Sequence, residues 1–280
     1  MLSRVLGALV VWAVFAGGVS NAAGSSDAVA SSNAVGASSA VNSSNAASPS
    51  NAAAPSKAHA FEDTIAERAR PCTLCHGAQG RAGPDGYYPR IAGKPAGYLL
   101  HQLQNFRDGR RQYEPMAVLL EHLGDDYLRE IAGYFATLDL PYPPPQPAAV
   151  SGAVLERGRR LVAEGDAARQ LPACAACHGS ALTGVVPAIP GLLGLPRDYL
   201  NGQLGAWKAG QRRAHAPDCM AEIVQKLSPD DIAALTGWLA AQPLPANTHP
   251  AAALPAPLPL TCGGVPASAQ AVNAAGGAQR

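Results

Sequence analysis

Cys72-Thr73-Leu74-Cys75-His76-Gly77 and Cys174-Ala175-Ala176-Cys177-His178-Gly179 are two instances of one pattern, Cys-x-x-Cys-His-Gly, in a chain with only six cysteines. Two thiols at this spacing can form thioethers with the vinyl groups of a haem, and the adjoining histidine then reaches the iron from one face. A structural zinc site would bring its cysteine pairs within about 15 to 20 residues of each other, and these pairs lie far beyond that. A redox-active dithiol would sit near a strand-helix-strand pattern, and none is readable here. The motifs therefore predict two covalently bound haem c groups, held through Cys72, Cys75, Cys174 and Cys177, with iron on His76 and His178.

The repeat runs well beyond the motifs. Pro89-x-Ile91-x-Gly93-x-Pro95-x-x-Tyr98-Leu99 matches Pro190-x-Leu192-x-Gly194-x-Pro196-x-x-Tyr199-Leu200, and Gln102, Phe106, Gly109 and Arg111 then match Gln203, Trp207, Gly210 and Arg212. Such self-similarity defines two copies of one domain. We assign residues 59 to 140 to the first and 149 to 262 to the second. The Pro-rich stretch 141 to 148 between them favours an extended, semi-rigid linker.

Each copy reads as helical. One helix is predicted before the motif (61 to 69, 153 to 164), one at 96 to 107 or 198 to 208, and one at the end. Ser228-Pro229-Asp230-Asp231 supplies a cap, an initial proline and early acids for the last helix. Leu128, Ile131, Ala132 and Phe135 then share a face, as do Ile232, Leu235, Trp238 and Leu239. No strand pattern is readable, so the fold class is all-α.

After Met1 the chain holds two methionines, Met116 and Met220, at matching positions of the repeat. A thioether opposite a histidine closes the iron and raises its potential, which suits one-electron transfer. The competing reading is a pair of gap-filling core residues. His101, His122 and His215 are alternative ligands, but none recurs in the other copy. The carbonyls of Pro89 and Pro190 are placed to accept the second imidazole N–H, unless these prolines merely turn the chain. Cys219 and Cys262 remain over; an oxidising compartment favours a disulfide between them, and the rival is Cys219 as a thiolate ligand in place of Met220.

Length and composition suit two small domains built around cofactors. Aromatic residues make up 5% and charged residues 15%, with 29 glycines and 25 prolines, which is thin material for one broad core. The formal charge of +1 carries no field that would attract nucleic acid. Residues 1 to 23 read as a signal peptide, with Arg4 ahead of an apolar run and Ser20-Asn21-Ala22 at the cleavage site. Export to the periplasm follows, or membrane association should the segment stay uncleaved. Residues 24 to 58, rich in Ala, Ser and Asn, and residues 263 to 280 have no period that could bury a face, and are expected to be disordered.

Across residues 60 to 245, the two motifs, the Pro-x-Ile/Leu-x-Gly and Tyr-Leu stretches and the late methionines resemble the di-haem cytochrome c4 family. The resemblance implies two class I cytochrome c folds related by a pseudo-twofold axis. It also implies periplasmic electron shuttling to a terminal oxidase or another redox partner, such as a reductase or dehydrogenase, with no substrate chemistry. The Cys219 and Cys262 pair and the long leader depart from that pattern. Two alternatives stay open: a catalytic di-haem enzyme of peroxidase or thiosulfate dehydrogenase type, and a haem subunit of a larger dehydrogenase.

Overall fold

The computed structural model describes residues 62 to 148 and 150 to 270, and helices carry nearly all its regular structure. The first copy contains α1 (Ile65–Arg68), α2 (Arg70–His76), α3 (Ala96–Arg107), α4 (Glu114–Leu120) and α5 (Asp125–Thr137). The second contains α6 (Gly152–Ala163), α7 (Cys174–His178), α8 (Arg197–Lys208), α9 (Cys219–Gln225) and α10 (Pro229–Ala240). A two-residue antiparallel ladder, β1 (Gly184–Val185) with β2 (Ile189–Pro190), follows α7, and α11 (Ala267–Gln270) ends the described chain. The expected signal segment, 1 to 23, and leader, 24 to 58, lie outside the described residues, as do 271 to 280. Among the described residues no helix is long and apolar enough to cross a membrane.

The face read for the last helix of the first copy is the one buried, whereas in the second copy Leu235 and Leu239 are buried, Ile232 and Trp238 are half-buried, and Ala234, Thr236 and Gly237 are buried as well. Leu128 is fully buried with Phe106 and Leu120, while Ile131, Ala132 and Phe135 pack against Ala69 and Leu99. Burying one such leucine side chain stabilises the fold by about 1.5 to 3 kcal/mol. In the second copy α6 crosses α10 so closely that a Cβ on Gly158 would stand 2.3 Å from the carbonyl oxygen of Ala234. Only glycine fits this crossing, which brings the start and end of the copy together.

Asp231 fastens that crossing. Its backbone N–H donates to Ser228 Oγ at 3.1 Å, and its carboxylate accepts from the Ser228 N–H at 2.9 Å, completing a capping box at the start of α10. The same carboxylate, wholly buried, accepts from Arg157 at 2.6 Å and Arg169 at 2.6 Å. Burial by itself would raise this carboxyl, but the bonds from Arg169, Ser228 and Arg157 outweigh it and hold the group well below the usual carboxylate range.

The two copies join through repeat-related residues. Arg111 and Arg212 form an isolated antiparallel bridge, flanked by Gln112 N–H to Gln211 O (2.8 Å) and Arg213 N–H to Arg110 O (2.7 Å). Arg111 donates to Gln102 (2.9 Å) and Gln203 (2.6 Å), and Arg212 donates to the same two side chains at 3.1 and 2.8 Å. Arg212 lies over Trp207 at 3.8 Å as Arg111 lies over Phe106 at 4.4 Å.

The Pro-rich connection is fastened at both ends. Arg90 donates to the carbonyls of Leu140 and Pro141, and Gln146 takes part in bonds to Ala240 O and the Arg197 N–H. Residues 263 to 270 correct the expectation of a structureless tail. Val265 is buried beside Cys262, and the Gln270 side chain donates to the carbonyls of Cys262 and Val265. Small residues without a period can still be ordered when a neighbouring cross-link anchors them.

Asp231→Ala leaves two arginines facing a buried gap and removes the cap. We expect it to lower unfolding stability by about 3 kcal/mol. Because the folded group titrates below its unfolded value, the wild-type contribution is present above about pH 4 and is lost as pH falls below it. Denaturant titrations of both proteins between pH 3 and pH 7 should therefore converge toward the acid end.

Candidate cofactor-binding site

On α2 the side chains of Cys72, Cys75 and His76 fall within one turn of each other, and on α7 those of Cys174, Cys177 and His178 do the same. The helix must stop at once to leave the histidine facing inward. Gly77 does this at φ 73°, where a Cβ would stand 2.4 Å from the Ala82 carbonyl oxygen. Gly179 ends α7 at φ 84°.

Both histidines are buried. His76 Nδ1 lies 2.8 Å from Pro89 O, and His178 Nδ1 lies 2.8 Å from Pro190 O. A carbonyl only accepts, so Nδ1 carries the proton and Nε2 is left as the lone-pair nitrogen. Burial lowers the pKa of each ring, with the proline carbonyl opposing, so both imidazoles are neutral and able to ligate. Of the two readings of these prolines, the structure shows the carbonyl acceptor. Burial also raises the Cys72 thiol, and burial with Cys177 nearby pushes Cys174 up to about 11.

One continuous cavity of about 770 Å³ is lined by both histidines and by Met116 and Met220. Met116 rides on α4 and Met220 on α9, two seven-residue helices at equivalent places in the copies. Leu99, Phe106 and Phe135 in the first copy, and Leu195, Leu200 and Leu239 in the second, give the cavity apolar walls. The set of donors fits covalently held haem: a thiol pair one turn apart, a neutral imidazole with a free Nε2, a thioether and an apolar slot.

The walls also carry charge. Arg212 is 5% exposed and its pKa is lowered, by burial and by Arg111. Arg90 and Lys94 are buried in the first copy; burial, with Arg90 close by, pushes Lys94 down to about 8. His101 and His215 both line the cavity and pair with each other, ring centroids 5.1 Å apart, whereas His122 is exposed beside Glu121. Cys219 and Cys262 are joined, with Cα atoms 5.1 Å apart. The sulfur beside Met220 is thus in a disulfide, and the carboxyl-terminal extension is tied to α9.

Sequence reasoning missed Arg90, Lys94 and the contact of His101 with His215. It recorded Arg111 and Arg212 as repeat equivalents without their contact. A lysine or arginine reads as a surface residue by type, and only the odd pairing of Lys94 with Leu195 across the repeat hints otherwise.

The paired motifs, the helical framework around them and the shared cavity define a tandem class I cytochrome c. No model of a known protein family matches the chain, but individual proteins do. It is 36% identical over 177 residues to a thiosulfate dehydrogenase electron acceptor of Thiomonas intermedia, spanning 63% of this chain and 80% of that one. It is 34% identical to cytochrome c4 of Pseudomonas aeruginosa, over 65% of this chain and 90% of that one. The crystal structure of reduced cytochrome c4 from Pseudomonas stutzeri matches with a TM-score of 0.55 at 28% identity, covering 63% of this chain and 96% of the other. The chain belongs to the di-haem cytochrome c4 family.

The disulfide closes a loop across 43 positions, for which chain entropy gives up to about 4 kcal/mol. Cys262→Ser should lower unfolding stability by about 2 to 4 kcal/mol. Limited proteolysis should then cut within 244 to 262 before the helices, while the wild type resists until it is reduced.

Proposed function

We propose that this chain is an exported, periplasmic carrier of single electrons holding two haem c groups. Cys72 and Cys75 would attach the first group, with His76 and Met116 holding its iron. Cys174 and Cys177 would attach the second, with His178 and Met220. The observation that carries this reading is the line-up of repeat-matched histidines and methionines around one cavity, each histidine locked through Nδ1.

When bound, such a group supplies a reversible ferric–ferrous couple at a closed iron. The chain's own residues set the conditions. The proline carbonyls keep each ring in one tautomer and orientation, so little must rearrange as charge comes and goes. The leucines and phenylalanines keep water out. Arg111 and Arg212 hold the two copies in a fixed relation, which electron passage between two centres requires.

A catalytic reading needs an open or thiolate-bound iron. The disulfide at Cys219 and the presence of Met220 in the cavity wall favour the carrier instead. The name of the Thiomonas relative favours an oxidising enzyme of the thiosulfate dehydrogenase type as donor. The acceptor is then another redox protein, such as a terminal oxidase.

Optical spectroscopy of the purified holoprotein tests this. We expect two haems per chain, the weak red thioether-to-ferric band, and no rapid binding of carbon monoxide by the reduced protein. Met220→Ala should remove about half of that band and open half of the haem to carbon monoxide. An unchanged spectrum in the variant overturns the ligand assignment, and rapid carbon monoxide binding by wild type overturns the carrier.

A further inference from the structure

The copies part company directly after the proline whose carbonyl holds the histidine. Pro89-Arg90-Ile91-Ala92-Gly93-Lys94 in the first becomes Pro190-Gly191-Leu192-Leu193-Gly194-Leu195 in the second. Two cations of the first copy thus stand where the second has glycine and leucine. All four positions line the cavity, and Arg90 and Lys94 are only 4% and 5% exposed.

The two cations are held differently. Arg90 donates to the carbonyls of Ala92, Leu140 and Pro141 and lies 3.9 Å over the Tyr142 ring, so its charge is solvated by neutral dipoles and fixed in place. Lys94 has no hydrogen bond or ion pair among the described residues, and the charge acting on it, that of Arg90, has its own sign. Burying an unpaired ammonium is costly. The cavity is the side from which compensation must come.

We propose that Lys94, backed by Arg90, is a potential-setting charge for the first haem, raising its reduction potential above the value an uncharged residue at this position would give. This rests on the di-haem carrier reading. Reduction adds one negative charge at the iron, so a fixed cation nearby favours the reduced form. In general, a unit charge about 10 Å from a one-electron centre, at an effective dielectric of about 20, shifts its equilibrium by about tenfold, or 59 mV. Leu195 and Gly191 give the second haem no such charge.

Potentiometric titration of the full-length holoprotein, followed in the haem bands, tests the proposal. Lys94→Met keeps the length and removes the charge; it should lower one of the two one-electron waves by about tenfold in equilibrium constant and leave the other in place. Leu195→Lys should raise the other wave by a similar factor. Lys94→Arg should hold the wild-type value, and if it falls as far as Lys94→Met, packing rather than charge is responsible and the proposal fails. It fails equally if neither wave moves in Lys94→Met, or if both move together. A haem count of two with an unchanged thioether band in these variants keeps the carrier reading intact whatever the waves do, so the two failures are distinguishable.

Discussion

A neutral imidazole has one N–H and one lone-pair nitrogen, and in both copies a proline carbonyl decides which is which. The bonds from His76 to Pro89 and from His178 to Pro190 each join the end of a short helix to the loop that follows it. They orient the ring and fix the proton on Nδ1, while burial in an apolar wall keeps the ring neutral against the pull of the carbonyl. The rest of each copy is arranged around that bond. The glycine after each histidine turns the chain away at once, the long third helix of the copy builds the wall, and a methionine on a helix of only seven residues also lines the cavity.

Leucines dominate the buried clusters of both copies, with Phe106 and Phe135 in the first, and the helices approach most tightly where Gly158 meets Ala234. One cavity runs through both copies. The copies consequently act as walls for each other, and the contact between Arg111 and Arg212 sits where those walls meet. Symmetry in the framework then coexists with asymmetry in charge, because Arg90 and Lys94 have no counterparts across the repeat.

What the sequence revealed depended on how local the signal was. The cysteine motifs are complete within six residues, and the Ser228 cap within four, so both could be read directly. The methionines were legible because they are scarce and keep their place in the repeat. The helices that carry them, α4 and α9, are too short to show a period, and the two-residue strands β1 and β2 are shorter still. Tertiary pairing was out of reach for other reasons. Repeat equivalence shows that Arg111 corresponds to Arg212, not that the two touch. Composition alone made residues 263 to 270 look structureless, because the anchor that orders them is a cross-link at Cys262.

The contact between the copies has a further property. Arg111 meets its own equivalent, Arg212, and the bonds on either side of them are exchanged pairwise, Gln112 to Gln211 and Arg213 to Arg110, as across the axis of a twofold dimer. Because a short Pro-rich segment joins the two copies, their pairing is an intramolecular event at high effective concentration. The two copies are then free to diverge, since neither has to serve both roles. The buried cations on one side and the cross-linked extension on the other record that freedom.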